Sequence, residues 1–443
     1  MRFCYKIQKY TEPLVGAWLV KIVFLGINYW PEETGIAPYT VGKCEYLAAR
    51  GHEVFIVTAP PYYPYWRIQP PYKAGICYRE SRNGVTILRV PLYVPGDPTT
   101  VKRILHETSF GIMAALGMLG AGRPDLLFVI SPPLILAMLA KSLSRLWGVP
   151  YVLHVTDLQP DTAKELGMLG SRRFVEVLER IALACYREAA LVSSVSKGMK
   201  DRIARKGISE ERLGVFSDWL DPELRRSVSR ERGLQVRKQE GWGGRFVVMH
   251  VGNMGVKQGL DVVLTAAQQD EQIDPSLWVL VGDGAARRAL ERKAQTLGLT
   301  NVRFYPVLPR RRFYEFLSAA DVCLICQRRE VLDFVFPSKT RVLMGAGKPI
   351  VASVNDESEV ARVLRESGGG WVVEPERGET LVSKVRELRQ NAAMVEEAGK
   401  NGALYAYAHW EKEKMLEAFC DTIERLGKRR KTGKRASKKG GQS

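Results

Sequence analysis

The stretch Phe246-Val247-Val248-Met249-His250-Val251-Gly252-Asn253-Met254-Gly255-Val256-Lys257-Gln258-Gly259-Leu260 runs directly into a helical pattern from Asp261, and its reading decides the fold. The apolar run reads as a strand buried on both faces. The glycines after it let the backbone approach a ligand closely. A lysine then arrives where a helix opens, and free amides and the helix dipole there favour anions. Strand, glycine-rich turn and amphipathic helix make one unit of a helix-covered parallel sheet, and the turn suits a diphosphate. A surface lysine on a plain turn is the bland alternative.

Outward from this unit the same alternation recurs. Strand candidates 277–282, 302–305, 322–326 and 349–352 join 246–252 in the second half; 21–26, 53–59, 86–91, 126–130, 151–155 and 191–195 fill the first. Each half reads as one α/β Rossmann-like sheet, with ligands expected beyond the carboxyl ends of its strands. Residues 221–245 are rich in Arg, Glu, Gln and Gly and lack a strong apolar period, so the domain boundary falls there. The expected division is an N-terminal domain at 1–225 with an extension at 1–20, a C-terminal domain at 226–426, and a disordered basic tail at 427–443. The C-terminal domain is expected to end in a helix that packs back on the first, with Trp410, Met415, Leu416, Phe419 and Ile423 at helical spacing.

Five further stretches carry residues suited to chemistry. In Val281-Gly282-Asp283-Gly284 a strand end enters a helix, through glycines that line a nucleotide site or simply make a tight turn. In Pro337-Ser338-Lys339 the proline sets a turn and the serine is placed to cap a helix. Lys339 stands in the first helical turn, a poor place for a cation unless an anion binds. The first-half loop from Asn28 to Tyr39 lacks the dinucleotide-binding glycine pattern, yet Gly35 allows close approach to a phosphate. The segment Val152-Leu153-His154-Val155-Thr156-Asp157-Leu158-Gln159-Pro160-Asp161 puts a histidine and carboxylates at or just beyond a strand end, suited to orienting a hydroxyl or stabilising charge at a sugar carbon. His154 reads equally well as an interior histidine. The aromatic run at 60–66, with Tyr62 and Tyr63, suits stacking on a sugar or lipid headgroup, or a packed loop.

Composition narrows the class. Of 443 residues 46% are apolar and 26% charged, as in a folded protein of two large domains. The net charge of +18 is uneven: residues 1–220 hold 27 Lys and Arg against 19 acids, and 427–443 hold eight basic residues and no acid. Such asymmetry suits an anionic surface or a phosphate-bearing substrate. Nucleic acid is disfavoured, because Lys428-Arg429-Arg430-Lys431 has no interleaved aromatics and no nucleic-acid module is recognisable. Seven scattered cysteines fit a reduced, cytosolic chain, with Cys323 and Cys326 as buried strand residues and not a zinc pair. The run 14–20 is broken by Lys21 and lacks a small-x-small cleavage site, so it does not read as a leader peptide. The segment 101–122 reads as an amphipathic helix at a membrane surface or as an interdomain core helix.

Taken together, Gly26-Ile27-Asn28-Tyr29 with Pro31-Glu32, Gly51-His52-Glu53-Val54, Thr58-Ala59-Pro60-Pro61-Tyr62-Tyr63-Pro64, Gly255 with Lys257-Gln258-Gly259-Leu260, and Pro337-Ser338-Lys339 resemble glycosyltransferase family 4 over residues 21–426. They come nearest its colanic-acid and exopolysaccharide branch. The resemblance implies a GT-B fold, two Rossmann-like doubly wound domains facing across a cleft, with no metal and no cofactor. It implies a retaining transfer of a hexosyl group, such as fucosyl, from a nucleoside-diphosphate sugar to a lipid-linked saccharide at the inner face of a membrane. The donor would meet Gly35, Asn253, Lys257, Gly282, Asp283, Gly284, Pro337, Ser338 and Lys339. The acceptor would meet Tyr39, Tyr62 and Tyr63, with Asp157 and His154 catalytic. Two positions depart from the family pattern: Val342 stands where many relatives have a ribose-binding glutamate, and Asn253 where many have an arginine. A sugar-nucleotide epimerase of the same fold and a non-catalytic basic membrane adaptor are the rival readings.

Overall fold

The computed structural model describes residues 19–158, 172–271, 275–331 and 336–439. Two sheets organise them. The first contains β1 (Lys21–Leu25), β2 (Glu53–Thr58), β3 (Tyr78–Arg82), β4 (Val85–Arg89), β5 (Leu126–Ser131), β6 (Tyr151–Val155), β7 (Leu191–Ser194) and β8 (Leu213–Val215). Their spatial order is β3-β4-β2-β1-β5-β6-β7-β8, parallel except for the antiparallel β3 at one edge. The second contains β9 (Val247–Val251), β10 (Leu277–Val281), β11 (Val302–Tyr305), β12 (Val322–Cys326), β13 (Ile350–Ser353) and β14 (Gly370–Val373), in the order β11-β10-β9-β12-β13-β14. β5, β6, β9, β10 and β12 are buried at every residue, the cause of their largely apolar sequences.

Both sheets reverse their strand order beside the first strand of the domain, between β1 and β5 and between β9 and β12. Such switch points open a crevice at the carboxyl ends. Helices cover both faces, among them α1 (Ala37–Ala49), α2 (Thr100–Ala121), α3 (Leu134–Trp147), α4 (Arg172–Glu188) and α5 (Lys197–Ala204) in the first domain. The second has α6 (Asp261–Asp270), α7 (Ser338–Gly345) and α8 (Glu359–Ser367), and the chain finishes with α9 (Lys412–Lys439).

The chain passes between domains twice. Leu220 and Leu224 already belong to the second domain's core, and the Leu220 amide donates to the Trp410 carbonyl at 2.9 Å. Downstream, α9 returns and buries Phe419, Cys420 and Ile423 against the first sheet, as expected for the terminal helix. His52 Nε2 lies 3.1 Å from Glu424 of α9, and Arg50 reinforces the pair at 3.7 Å.

Some expectations change. The basic segment expected to be disordered is helical as far as Lys439, because α9 runs on past its packed part. Strands β3, β8 and β14 were not expected: β3 reads Tyr-Arg-Glu-Ser-Arg and is only half buried, β8 has three residues, and β14 begins on a glycine. Cys323 and Cys326 are buried strand residues, and burial pushes both thiols up to about 12. The run 14–20 falls mostly outside the described residues, as do 440–443.

Candidate active site

The second domain builds its half of the site from the loops after β9, β10 and β12. The Gly252–Met254 loop is locked to the β10 turn: the Gly252 amide donates to Val281 O at 2.9 Å, Met254 to Asp283 O at 2.8 Å, and Ala286 to Met254 O at 2.9 Å. Gly282 (φ 143°) and Gly284 (φ 153°) are required by this contact, since a Cβ on either would collide with the carbonyl of Gly252 or Met254. Their role in the structure is therefore to hold the Gly252–Met254 loop, with Asp283 Oδ1 accepting from the Gly284 amide at 2.7 Å. Arg287, not singled out by sequence, clamps the same turn through Gly282 O at 2.6 Å and Tyr305 O at 3.1 Å.

Lys257 lies in a single 3-10 turn at 256–258, where the Gly255 amide donates to Gln258 Oε1 at 3.0 Å. Its own carbonyl accepts from the Arg328 amide after β12 at 2.9 Å. Lys339 comes from the next strand over, in the first turn of α7, and its Nζ donates to Val251 O at 3.2 Å. Burial pushes its ammonium down to about 8. No carboxylate among the described residues forms an ion pair with it. The residue keeps part of its surface exposed. Lys339 also helps hold the fully buried His250 neutral, burial being the larger cause. A cation that loses water without gaining a carboxylate partner among the described residues is suited to receive an anion.

Ser338, expected to cap α7, does not: the N-cap is Pro337, no side chain caps it, and Ser338 is the first helical residue and exposed. Val342, the expected departure from the family pattern, packs against the second domain's core as an apolar contact. Asn253 is exposed on the loop.

From the first domain, Asp157 follows β6 and reaches across the cleft to Lys257, Oδ2 to Nζ 3.7 Å. Both side chains are nearly one third exposed, so the pair is worth under about 1 kcal/mol and yields readily to a stronger anion. Asp161, quoted with this segment, lies outside the described residues. His154 does not reach the cleft. It is fully buried, Nε2 facing the Lys43 ammonium at 3.3 Å and Nδ1 facing Ser193 Oγ at 3.0 Å. Burial first and Lys43 second hold it neutral, so it supports β6 from inside.

Gly35 (φ 65°) sits before α1 with the Tyr63 ring beside it, and Tyr63 is exposed. Tyr62 is buried instead, edge-on to Trp66 and His106, so its expected acceptor contact is corrected to a packing role. Tyr39 is half-buried and edge-on to Trp219 at 5.2 Å, in the interdomain hinge. The organiser that sequence reading missed is Glu32. Its buried carboxylate accepts from the Tyr62 and Tyr63 amides at 2.8 Å each and from Asn28 Nδ2 at 2.8 Å, fastening the two first-domain loops together. Two missed pairs join the domains: Arg341 of α7 with Asp218 at 2.9 Å, and Glu359 of α8 with the Lys197 and Gly198 amides of α5 at 2.9 and 3.0 Å.

Comparison with known proteins shows the family. Residues 34–219 match the glycosyl transferase 4-like domain and residues 234–405 match glycosyl transferases group 1. The chain is 32% identical over 412 residues to the putative colanic acid biosynthesis glycosyl transferase WcaI of Escherichia coli (strain K12), covering 91% of this chain and all of that one. Its fold is similar to sucrose-phosphate synthase from Thermosynechococcus elongatus (TM-score 0.71, 17% identity, 91% of this chain and 98% of that one). It is also similar to Anabaena HepE in complex with UDP-glucose (TM-score 0.68, 16% identity, 91% and 99%). With two Rossmann-like domains facing across a cleft, the chain belongs to the GT-B glycosyltransferases, pairing a glycosyl transferase 4-like domain with a group 1 domain.

Proposed function

We propose that the enzyme transfers a hexosyl group from a nucleoside-diphosphate sugar to a hydroxyl of a lipid-linked saccharide, with retention, in the synthesis of a surface polysaccharide. The observation that carries this reading is Lys339: a desolvated ammonium with no carboxylate partner among the described residues, beside the glycine loop at the β9–β12 switch point. A diphosphate there completes the ion's coordination, and its second cation is Lys257. Lys257 is held meanwhile by Asp157. The likeness to a chain that binds UDP-glucose supports a nucleotide donor of this class.

As the bond from the anomeric carbon to the diphosphate breaks, negative charge grows on the departing oxygen, and the two lysines stabilise it more than they stabilise the donor. The leaving phosphate accepts the proton of the attacking hydroxyl. Asp157, released from Lys257 when the diphosphate arrives, orients the acceptor. Tyr63 and the loop around Gly35 border the cleft on the acceptor's side, and the first domain's excess of cations suits an acceptor carried on a phospholipid-like diphosphate at the inner face of a membrane.

The test is transfer itself. A panel of labelled nucleoside-diphosphate sugars is incubated with lipid-linked saccharide, and the anomeric configuration of the product is read by NMR. Retained configuration and dependence on the acceptor are expected. An epimerised donor formed without acceptor would overturn the assignment.

A further inference from the structure

Helix α2 is 22 residues long and, by length and composition alone, apolar enough to cross a membrane. It is a layer of the first domain instead. Phe110, Ala114 and Met118 are buried in the core, Gly111 packs on the Ile135 side chain of α3, and Gly117 packs on Val57 and Val90 of the sheet. What this packing leaves over is the opposite face. Val101, Leu105, Ile112, Leu116 and Leu119, separated by four, seven, four and three residues, form one stripe along the helix, each more than half exposed. Lys102 and Arg103 stand at one end of the helix and Arg123 just past the other.

A second element reaches the same edge of the domain from the other face of the sheet. Gly122, at the end of α2, lies beside Lys21, and Gly427 of α9 packs on Val20, the residue before it. From Gly427 onward α9 continues as helix to Lys439 through eight Lys and Arg and no acid. The Glu424 contacts to His52 and Arg50 fasten α9 to the first domain and so fix where this basic run emerges.

We propose that the α2 stripe lies in the interfacial plane of an anionic phospholipid bilayer, with the basic end of α9 as an electrostatic arm along the same surface. An apolar stripe flanked by cations fits anionic headgroups. It does not fit a second copy of this chain, which would bring the same cations face to face. The proposal deepens the reading of a lipid-linked acceptor by naming the surface that meets the membrane, but it does not depend on the chemistry at Lys339.

The experiment is vesicle flotation of the full chain with phosphatidylglycerol–phosphatidylethanolamine vesicles and with pure phosphatidylcholine vesicles. Binding to the anionic vesicles only is expected, weakening as salt rises. The variant Ile112→Glu/Leu116→Glu/Leu119→Glu changes exposed side chains alone, and should lose roughly tenfold or more in partitioning with nucleoside-diphosphate binding unchanged. The variant Lys431→Gln/Lys434→Gln/Arg435→Gln/Lys438→Gln should bind more weakly and with a flatter salt dependence. No binding by the parent chain, or equal binding by the triple variant, overturns the proposal. So does a stable dimer that the triple variant splits. Wild-type salt dependence in the glutamine variant removes the arm. Vesicle binding without any nucleoside-diphosphate binding would instead count against the glycosyl-transfer reading.

Discussion

The loops of the two domains face each other across one cleft but are built on opposite terms. The second domain presents cations on a loop that backbone hydrogen bonds and obligatory glycines hold still, and Lys339 is desolvated before any ligand arrives. The first domain presents Tyr63 and Gly35 on loops fastened by one buried carboxylate, Glu32, and Asp157 on the loop after β6, and Asp157 and Tyr63 keep part of their surface exposed. A preformed cradle suits the invariant part of a donor, its diphosphate. Adaptable, aromatic-bordered loops suit a larger acceptor. The contrast predicts that damage to the second domain shows in donor binding, and damage to the first in turnover or acceptor affinity.

The largest effect should come from Lys339→Met. Removing a desolvated cation aimed at developing charge lowers kcat/KM by about 100-fold or more, read in steady-state assays with saturating acceptor. Next is Asp157→Asn. It should lower kcat by roughly tenfold to 100-fold while nucleoside-diphosphate affinity holds, or improves slightly because Lys257 loses its competing carboxylate. A loss confined to donor affinity would erase the proposed division of labour. Lys257→Ala should weaken donor binding by about tenfold, less than Lys339→Met because Lys257 is already solvated. The smallest functional effect should separate two neighbouring tyrosines. Tyr63→Ala raises the KM for acceptor a few-fold, whereas Tyr62→Ala leaves that KM alone and costs about 3 kcal/mol of stability in a denaturant melt.

How much was legible in the sequence follows the same line. Fully buried parallel strands announce themselves as apolar runs, so most strands were readable, while β3, with its polar residues at a sheet edge, was not. Lys339 was readable because a cation in a first helical turn is a local misfit that only a ligand relieves. His154 and Tyr62 were ambiguous, since a strand histidine or a loop tyrosine points inward or outward according to packing that composition does not encode. Arg341 and Glu359 act through partners 123 and 162 residues away, and Glu32, although its stretch was quoted, does its fastening through amides 30 and 31 residues away that no local pattern reveals. Val342 was visible as a departure, and its packing against the core gives the physical reason a carboxylate is absent there.

The central claim is that Lys339 carries the diphosphate grip, and its charge state makes the claim measurable. Because burial depresses its pKa to about 8, the ammonium is charged below that pH and lost above it, so anion affinity must fall as pH rises through 8. The decisive measurement is calorimetric titration of a nucleoside diphosphate into the wild-type chain and into Lys339→Met from pH 7 to pH 9. The account predicts tight binding in the wild type that weakens across this window, and weak, pH-flat binding in the variant. Equal affinity in the two proteins, or the same pH dependence in both, would contradict it.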